Sequence, residues 1–307
     1  MSLVGRLPNV TFAGGAIDRA AHRRQDPGLL PALLTDERTR VIDLGKDGFL
    51  VDDDGRLALR APRESDLGAP LAVFLGEGRG PDGASTAYVL IEPSGAEAQR
   101  PAVGLRELAG ALDNDTAALV ATSLGLANWH RTHPRCSLCG TPTQPDLAGW
   151  IRRCPDDASE HYPRTDVAVI MAVTDPDDRL LLGRAPSWPT GRMSILAGFV
   201  EPGETLEQAV AREVREEVGI DIHDVEYVDD QPWPFPSSLM VGFTARTQQT
   251  ELRLDEAELA EARWVSRDEV AALIAAGEYR PSPGFSISRL LVEDWYGDRL
   301  PTRRAGR

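Results

Sequence analysis

Residues 198–220 read GFVEPGETLEQAVAREVREEVGI and constrain the fold more tightly than any other stretch of the chain. A glycine-bearing loop, Gly198 to Gly203, runs into an expected helix over 205–218. Thr205 and Gln208 have the spacing of a capping box, in which hydroxyl and amide each satisfy a backbone N–H left open at a helix start. Gly219 stands where a left-handed C-terminal cap belongs. Leu206, Val210, Val214 and Val218 recur every four positions, so one face is apolar and needs a core to cover it. Glu213, Glu216 and Glu217 stand at i, i+3 and i+4 and share another face. Like charges at that spacing cost an isolated helix roughly a few tenths of a kcal/mol per pair, and Arg212 and Arg215 offset part of this. One reading is a solvated acidic stripe. The other is a hard-cation site, because carboxylates on one rigid element leave room for water and phosphate oxygens around magnesium or manganese.

The flanking sequence supplies strands for such a helix to pack on. DVAVIMAVTD (166–175), a turn at Pro176, Asp177 and Asp178, and RLLLGRA read as two strands; DIHDVEYV reads as another. RDEVAALIAAG reads as a helix ending at Gly277. Farther upstream, TRVIDL, GFLVDDDGRLALRA, PLAVFLG and TAYVLIEP read as strands of a separate domain, the second bent into a hairpin at its Asp-Asp-Asp-Gly. DNDTAALVATSLGLANWHRTH has helical spacing, with Asp115 or Thr116 as N-cap. The 307 residues leave room for two domains. We expect an α+β protein: an N-terminal mixed α/β domain over 1–125, a cysteine-bearing segment over 130–165, a third region over 166–300 and a basic tail over 301–307.

Charge narrows the ligands. Forty-eight acidic residues against 33 basic ones leave a net charge of −15. Such a surface repels nucleic acid and anionic membranes in general, so a phosphate-bearing ligand needs a local basic spot or a bound metal. No run approaches 18 apolar residues, and the N-terminus shows no charged segment followed by an apolar one. A cytoplasmic location without membrane attachment is expected.

Cysteine occurs only at Cys136, Cys139 and Cys154, a C-x2-C pair followed 14 residues later by a third thiol. This is half of a zinc ribbon plus one more ligand. Asp157 as fourth ligand, His161 as fourth ligand and a ribbon that holds no metal are the three readings. A second unusual stretch, DDQPWPFPSSLM (229–240), sets three prolines around a tryptophan and a phenylalanine. Proline donates no amide hydrogen and fixes its own φ, so the stretch suits neither a helix nor a central strand. Taken alone the stretch reads as an edge strand or tight loop whose aromatics fill a core. The other reading is an extended path, with Trp233 and Phe235 pointing in alternate directions.

Together these residues carry a resemblance. The pattern G-x5-E-x7-R-E-U-x-E-E-x-G-U, with U a bulky aliphatic, is the signature of the Nudix hydrolases. Gly198, Glu204, Arg212, Glu213, Val214, Glu216, Glu217, Gly219 and Ile220 fill it without exception. The ribbon remnant, and Gln231, Pro232, Trp233, Pro234, Phe235, Pro236 and Ser238 after the box, resemble the NADH pyrophosphatase branch. Asp230 stands where that branch has serine.

The resemblance implies an αβα-sandwich Nudix domain at the C-terminus, preceded by a small zinc-ribbon-like segment. It implies hydrolysis of the pyrophosphate of NADH or NAD to NMN(H) and AMP, and removal of NAD caps from RNA 5′ ends. Magnesium or manganese would sit on Glu213, Glu216, Glu217, Glu258 and the Ala197 carbonyl. In DEAELAEARW, Glu258 is favoured over Glu261 for its place before the tryptophan strand. Arg212 would orient a glutamate by a bidentate pair, and Glu204 would support the loop. Gln231 to Ser238, Ser237 included, would meet the dinucleotide, with Tyr162 of HYPRTD on its base and Arg106, Phe199 and Ile287 as further contacts. A structural zinc at Cys136, Cys139, Cys154 and Asp157, and a homodimer, complete what the branch implies. Two alternatives stand beside this: a Nudix hydrolase of another dinucleotide or an ADP-ribose-type diphosphate, and a non-catalytic NAD-sensing module. The intact box glutamates weigh against the second.

Overall fold

Alternating and continuous apolar runs resolve into two separate units in the computed structural model, which describes residues 7–80 and 83–301. Of the basic tail, only Pro301 lies within the described residues. One unit comprises residues 7–11, Asp166–Pro232 and 238–301; the other comprises 12–165 together with Trp233–Ser237.

The N-terminal unit holds α1 (Leu29–Leu33), β1 (Arg40–Asp43), β2 (Phe49–Leu50), β3 (Leu59–Arg60), β4 (Leu71–Arg79) and β5 (Ser85–Glu92). These are followed by β6 (Ala102–Val103), α2 (Leu105–Leu108), α3 (Asn114–Thr132), β7 (Gln144–Asp146), β8 (Ile151–Arg153) and β9 (Glu160–His161). Its main sheet has the order β3-β1-β5-β4, with β1 parallel to β5 and the other pairs antiparallel. Val41, Phe74 and Val89 are fully buried and pack with Leu29 and Leu33 of α1. At one margin Arg60 lies between Asp43 and Asp66, at 2.6 and 2.7 Å, so one guanidinium pairs with two nearly buried carboxylates.

One local reading is refined and one corrected. The expected 48–61 hairpin forms at its acidic stretch, where the Asp52 N–H donates to the Arg56 carbonyl and Val51 pairs antiparallel with Leu57. Its arms then part: β2 pairs with β6, and β3 pairs with β1. The N-cap of α3 is Asp113 rather than Asp115 or Thr116. The Asp113 carboxylate accepts from the Thr116 N–H at 2.9 Å, which leaves Asp115 in the first turn of the helix.

The C-terminal unit is the αβα sandwich that the resemblance implies. It is built from β10 (Asp166–Thr174), β11 (Leu180–Arg184), β12 (Leu196–Phe199), α4 (Leu206–Val218), β13 (His223–Trp233), β14 (Ser238–Arg246), β15 (Glu261–Val265), α5 (Arg267–Ala276) and α6 (Ile287–Tyr296). The sheet order is β13-β14-β10-β11-β15, with β12 also on β10. A period of two deals the side chains of the central strands to opposite faces. Val169, Met171, Val173 and Leu181 meet Val210, Val214 and Val218 of α4. Ile170, Ala172, Leu180 and Leu182 meet Val270 and Ile274 of α5 and Ile287, Leu291 and Val292 of α6. The strands are therefore buried on both faces, which explains their near-continuous apolar sequence. β13 is an edge strand, so Pro232 near its end breaks no ladder on both sides.

Candidate active site and cysteine cluster

The capping box of α4 forms as the spacing predicts. The Thr205 hydroxyl accepts from the Gln208 N–H at 3.3 Å, and the Gln208 amide oxygen accepts from the Thr205 N–H at 2.8 Å. Gly219 closes the helix at φ 71°, a conformation costly for any residue with a Cβ. With both ends fixed, the acidic face holds a constant register against the sheet.

That face is not used evenly. Glu213 and Glu217, one turn apart, are buried, whereas Glu216 is exposed. Carboxylate oxygens of Glu213, Glu217 and Glu258 all lie within 4.8 Å of one another. Glu258 comes from a remote loop, and backbone bonds bring it there. The Arg253 N–H donates to the Val218 carbonyl at 2.9 Å, and the Asp255 N–H to the Glu217 carbonyl at 3.0 Å. The loop is thus stitched to the last turn of α4. Glu261, the other acid weighed, instead accepts from Arg184 at 3.3 Å.

Arg212 ties this site to its loop. Its Nε and Nη2 donate to the two oxygens of Glu204, at 3.1 and 2.7 Å. Nη1 donates to Glu213 at 2.8 Å and to Glu216 at 3.0 Å, and Nη2 also donates to the Phe199 carbonyl at 2.8 Å. The bidentate partner is therefore Glu204, which also accepts from the Glu201 N–H at 2.7 Å. Gly198, the first signature residue, has a steric reason. A Cβ there would stand 1.9 Å from the Glu213 carboxyl carbon, so any side chain would expel the glutamate. Ala197, whose carbonyl was expected to bind metal, precedes it in β12 and is exposed.

Three carboxylates so close resist ionising together. Burial first, then the charges of Glu213 and Glu258, push the Glu217 pKa from its ordinary value near 4.5 up to about 8. Burial also raises Glu213, against the opposing pull of Arg212. No arginine among the described residues reaches Glu217. An oxygen-only donor set with surplus negative charge fits a hard divalent cation.

The N-terminal unit gathers a second donor set. Cys136, Cys139, Cys154 and Asp157 place one ligand atom each within 4.8 Å of the others. The Cys139 and Cys154 sulfurs are 3.5 Å apart and unbonded, and the three thiols are free. The hydroxyl of Ser159 and backbone N–H groups, those of Cys139 and Leu138 among them, pull the Cys136 pKa down to about 6, so it is poised as thiolate. Burial raises Cys154 to about 11. Asp157 is held well below the carboxylate range, chiefly by bonds from Ser159. His161 does not join the set; it meets the Ser159 hydroxyl at 3.2 Å. A donor set of three sulfurs and one carboxylate oxygen fits zinc in ligand type and number.

The proline-rich stretch forms a tight loop and not the extended path. After β13 it turns at residues 234–237 and returns as β14, with a cis Phe235–Pro236 bond. Trp233 and Phe235 therefore do not point apart but pack edge to face, 5.0 Å between centroids. Within the N-terminal unit, Asn128 Nδ2 donates to the Pro234 carbonyl at 3.3 Å and to the Pro236 carbonyl at 3.2 Å. The Arg106 guanidinium lies 4.4 Å over the Phe235 ring. Asn128 was not foreseen; its one signal is a lone amide between buried Ala127 and Trp129. Tyr162 is 63% exposed, and its hydroxyl donates to Glu160 at 2.5 Å.

Within the C-terminal unit, Gln231 is fully buried. Its amide nitrogen donates to the Thr11 and Phe285 carbonyls, both at 2.8 Å, and its oxygen accepts from the Ile287 N–H at 2.8 Å. Every polar atom of that side chain is taken up by the protein's own backbone, so the amide contact to a dinucleotide expected of it is replaced by a staple. Ile287 is likewise a core residue at 2% exposure, with its side chain among those of the sheet rather than at a surface. Phe199, in contrast, is 60% exposed, and Pro232 and Ser238 are half-buried. Asp230, the departure from the branch signature, accepts from the Tyr227 hydroxyl at 2.6 Å.

Comparison with known proteins places these features. The model of the NUDIX domain matches residues 164–284, and that of the NADH pyrophosphatase zinc ribbon domain matches residues 131–162. The NAD-capped RNA hydrolase NudC of Mycobacterium bovis is 42% identical over 253 residues, 79% of this chain and 81% of that protein. The Mycobacterium tuberculosis protein of the same name matches with the same figures. Human NAD-capped RNA hydrolase NUDT12 is 39% identical over 196 residues, 60% of this chain and 42% of its own length. A Nudix hydrolase structure from Nitrosomonas europaea overlaps 54% of this chain and 94% of its own, at 23% identity and a TM-score of 0.43.

Proposed function

The chain belongs to the Nudix hydrolases of the NADH pyrophosphatase type, and on that premise we propose that it cleaves the pyrophosphate of NAD(H) to NMN(H) and AMP. The same reaction on an NAD-capped transcript would remove the cap from the RNA 5′ end. The observation that carries this reading is the convergence of Glu213, Glu217 and Glu258 on a helix that fills the Nudix signature. In this reading those three, with Glu216 and the Ala197 carbonyl, hold magnesium or manganese. A divalent cation held by these residues would supply charge neutralisation for the pyrophosphate oxygens and a lowered pKa for the attacking water. Arg212 fixes Glu213 and Glu216 in direction through its hydrogen bonds, and Glu204 anchors Arg212 to the loop. Glu217, raised by burial first and by the charges of Glu213 and Glu258 second, would bind such a cation as the carboxylate and so would release its proton on binding.

Within the N-terminal unit the turn at 233–237 with Tyr162 and Arg106 offers aromatic faces suited to a base; within the C-terminal unit exposed Phe199 offers another. Asn128 holds the turn's carbonyls, and Gln231 serves by fixing the start of α6. Zinc on the cysteine cluster has a structural role here, since all four positions are filled by protein. A cytoplasmic homodimer completes the proposal; no helix among the described residues is long and apolar enough to cross a membrane. Chromatography of NADH incubated with the protein and manganese tests the reading. NMNH and AMP in equal amounts are expected. Intact NADH beside turnover of ADP-ribose would replace it with the alternative substrate class.

A further inference from the structure

Many arginines of the N-terminal unit sit on carboxylates. Arg23 pairs with Glu77, Arg60 with Asp43 and Asp66, Arg131 with Glu92, and Arg153 with Asp146 and Glu160. Among the described residues Arg19 and Arg24 meet no carboxylate, although the chain carries 48 acids. Both instead lie over the ring of Trp150, their guanidinium carbons 5.3 and 3.6 Å from its centroid. Arg24 donates one hydrogen bond, from Nη2 to the Arg19 carbonyl at 3.0 Å, and its Nε is buried without a partner among the described residues. The indole is fixed beneath them, because its Nε1–H donates to the Phe74 carbonyl at 2.6 Å. Of the neighbouring acids, Asp18 accepts from the Ala20 N–H and Glu77 is held by Arg23.

One guanidinium would suffice to cover an indole face by cation–π attraction. A second one adds repulsion, and burial together with the charge of Arg19 pulls the Arg24 pKa down to about 10. An anion bound beside the two guanidiniums would relieve that repulsion. Single-stranded nucleic acid presents such anions along its backbone, and proteins follow that backbone with positively charged side chains. In a chain of net charge −15, such a local basic spot is what a polyanion requires.

We propose that Arg19 and Arg24 on Trp150 form a contact site for the phosphodiester backbone of the single-stranded RNA that follows an NAD cap. The identity of that RNA rests on the function proposed above; the anion site itself does not. The test is fluorescence anisotropy with a short uncapped single-stranded RNA across a salt series, on the full chain. Replacing both residues, Arg19→Met and Arg24→Met, keeps an apolar stem on the indole. Affinity should fall roughly tenfold at low salt, and the slope of log K against log salt should shrink by about 1.4, near 0.7 per lost phosphate contact. kcat/KM on NAD-capped RNA should fall in parallel, with NADH turnover within about twofold of the parent. Arg19→Met alone, at an exposed residue, should cost about half the slope change and serves where the double variant fails to fold. Unchanged affinity and slope would overturn the proposal. So would an equal loss of NADH turnover, or displacement of the RNA by inorganic phosphate at matched phosphate concentration, which would assign the site to a free oxyanion. A parent protein that binds RNA with the expected slope but cleaves neither NADH nor the cap would defeat the proposed function and leave the site standing.

Discussion

The two clusters of prospective metal ligands solve opposite problems. Around Glu217 the protein combines burial with two neighbouring carboxylates, and with no arginine among the described residues to offset them its pKa rises to about 8. Around Cys136 it supplies hydrogen-bond donors first, so the thiol pKa drops to about 6 before any metal is considered. The oxygen cluster has one exposed member, Glu258, as suits a site that must admit substrate. The sulfur cluster offers four protein donors, of which Cys139 and Asp157 are exposed. The difference lies in the poise of single members: Glu217 is held toward its neutral form by burial and like charge, Cys136 toward its anion by hydrogen-bond donors, while burial raises Cys154 to about 11.

Removing the stored charge should separate activity from stability. Glu217→Gln is expected to lower kcat/KM for NADH by about a thousandfold, the equivalent of several kcal/mol of lost charge stabilisation. The metal-free variant should nevertheless melt above the parent at pH 8, read by calorimetry. Equal melting temperatures would mean that Glu217 stores no repulsion. Gly198→Ala is expected next, with about a hundredfold loss and a destabilisation of about 1–3 kcal/mol, since the Glu213 carboxylate must move. Turnover at the parental rate would show that the β12 contact is dispensable.

Cys154→Ser should break the other side of the comparison. Zinc bound per chain, by metal analysis of protein purified without chelator, should fall from one to well below one. The melting temperature should drop by several degrees. Retained zinc would remove that thiol from the site.

The pH dependence sharpens the contrast. The folded pKa of Glu217 lies above its ordinary value of 4.5, so the metal-free fold binds a proton that the unfolded chain has released. Its stability should therefore decline as pH rises from about 4.5 to about 8 and recover on adding manganese. Calorimetric titration at pH 7 should show uptake of manganese with release of close to one proton, and affinity rising with pH until about 8. A pH-independent affinity would contradict the raised pKa. The smallest effect is expected from Asn128→Ala, which loses two bonds to the turn: about a threefold rise in KM for NADH with kcat kept, from about 1 kcal/mol or less. A fall in kcat alone would place Asn128 elsewhere in the reaction.

What the sequence made legible was local. The capping box, the apolar stripe of α4 and the central strands follow from spacing within a dozen residues, and each stands where that spacing puts it. The N-cap of α3 was displaced by two residues because three acids or amides compete there, and only geometry chooses Asp113. Gln231 was read as a ligand contact because it sits in a signature. Its burial depends on Thr11, Phe285 and Ile287, which are remote in sequence. The alternation of Trp233 and Phe235 failed because proline suits a turn as well as an extended strand. The approach of Glu258 to Glu217 rests on backbone bonds that no side-chain pattern announces.

The central claim, a glutamate site that works only when a divalent cation relieves it, has one direct measurement. NADH cleavage by parent and Glu217→Gln protein is followed at pH 8 while manganese is withdrawn and restored with zinc still bound. The account predicts that NMNH and AMP form, that cleavage stops and returns with manganese while the zinc content stays fixed, and that the variant is silent throughout. Cleavage that continues without manganese, or a variant as active as the parent, would contradict it.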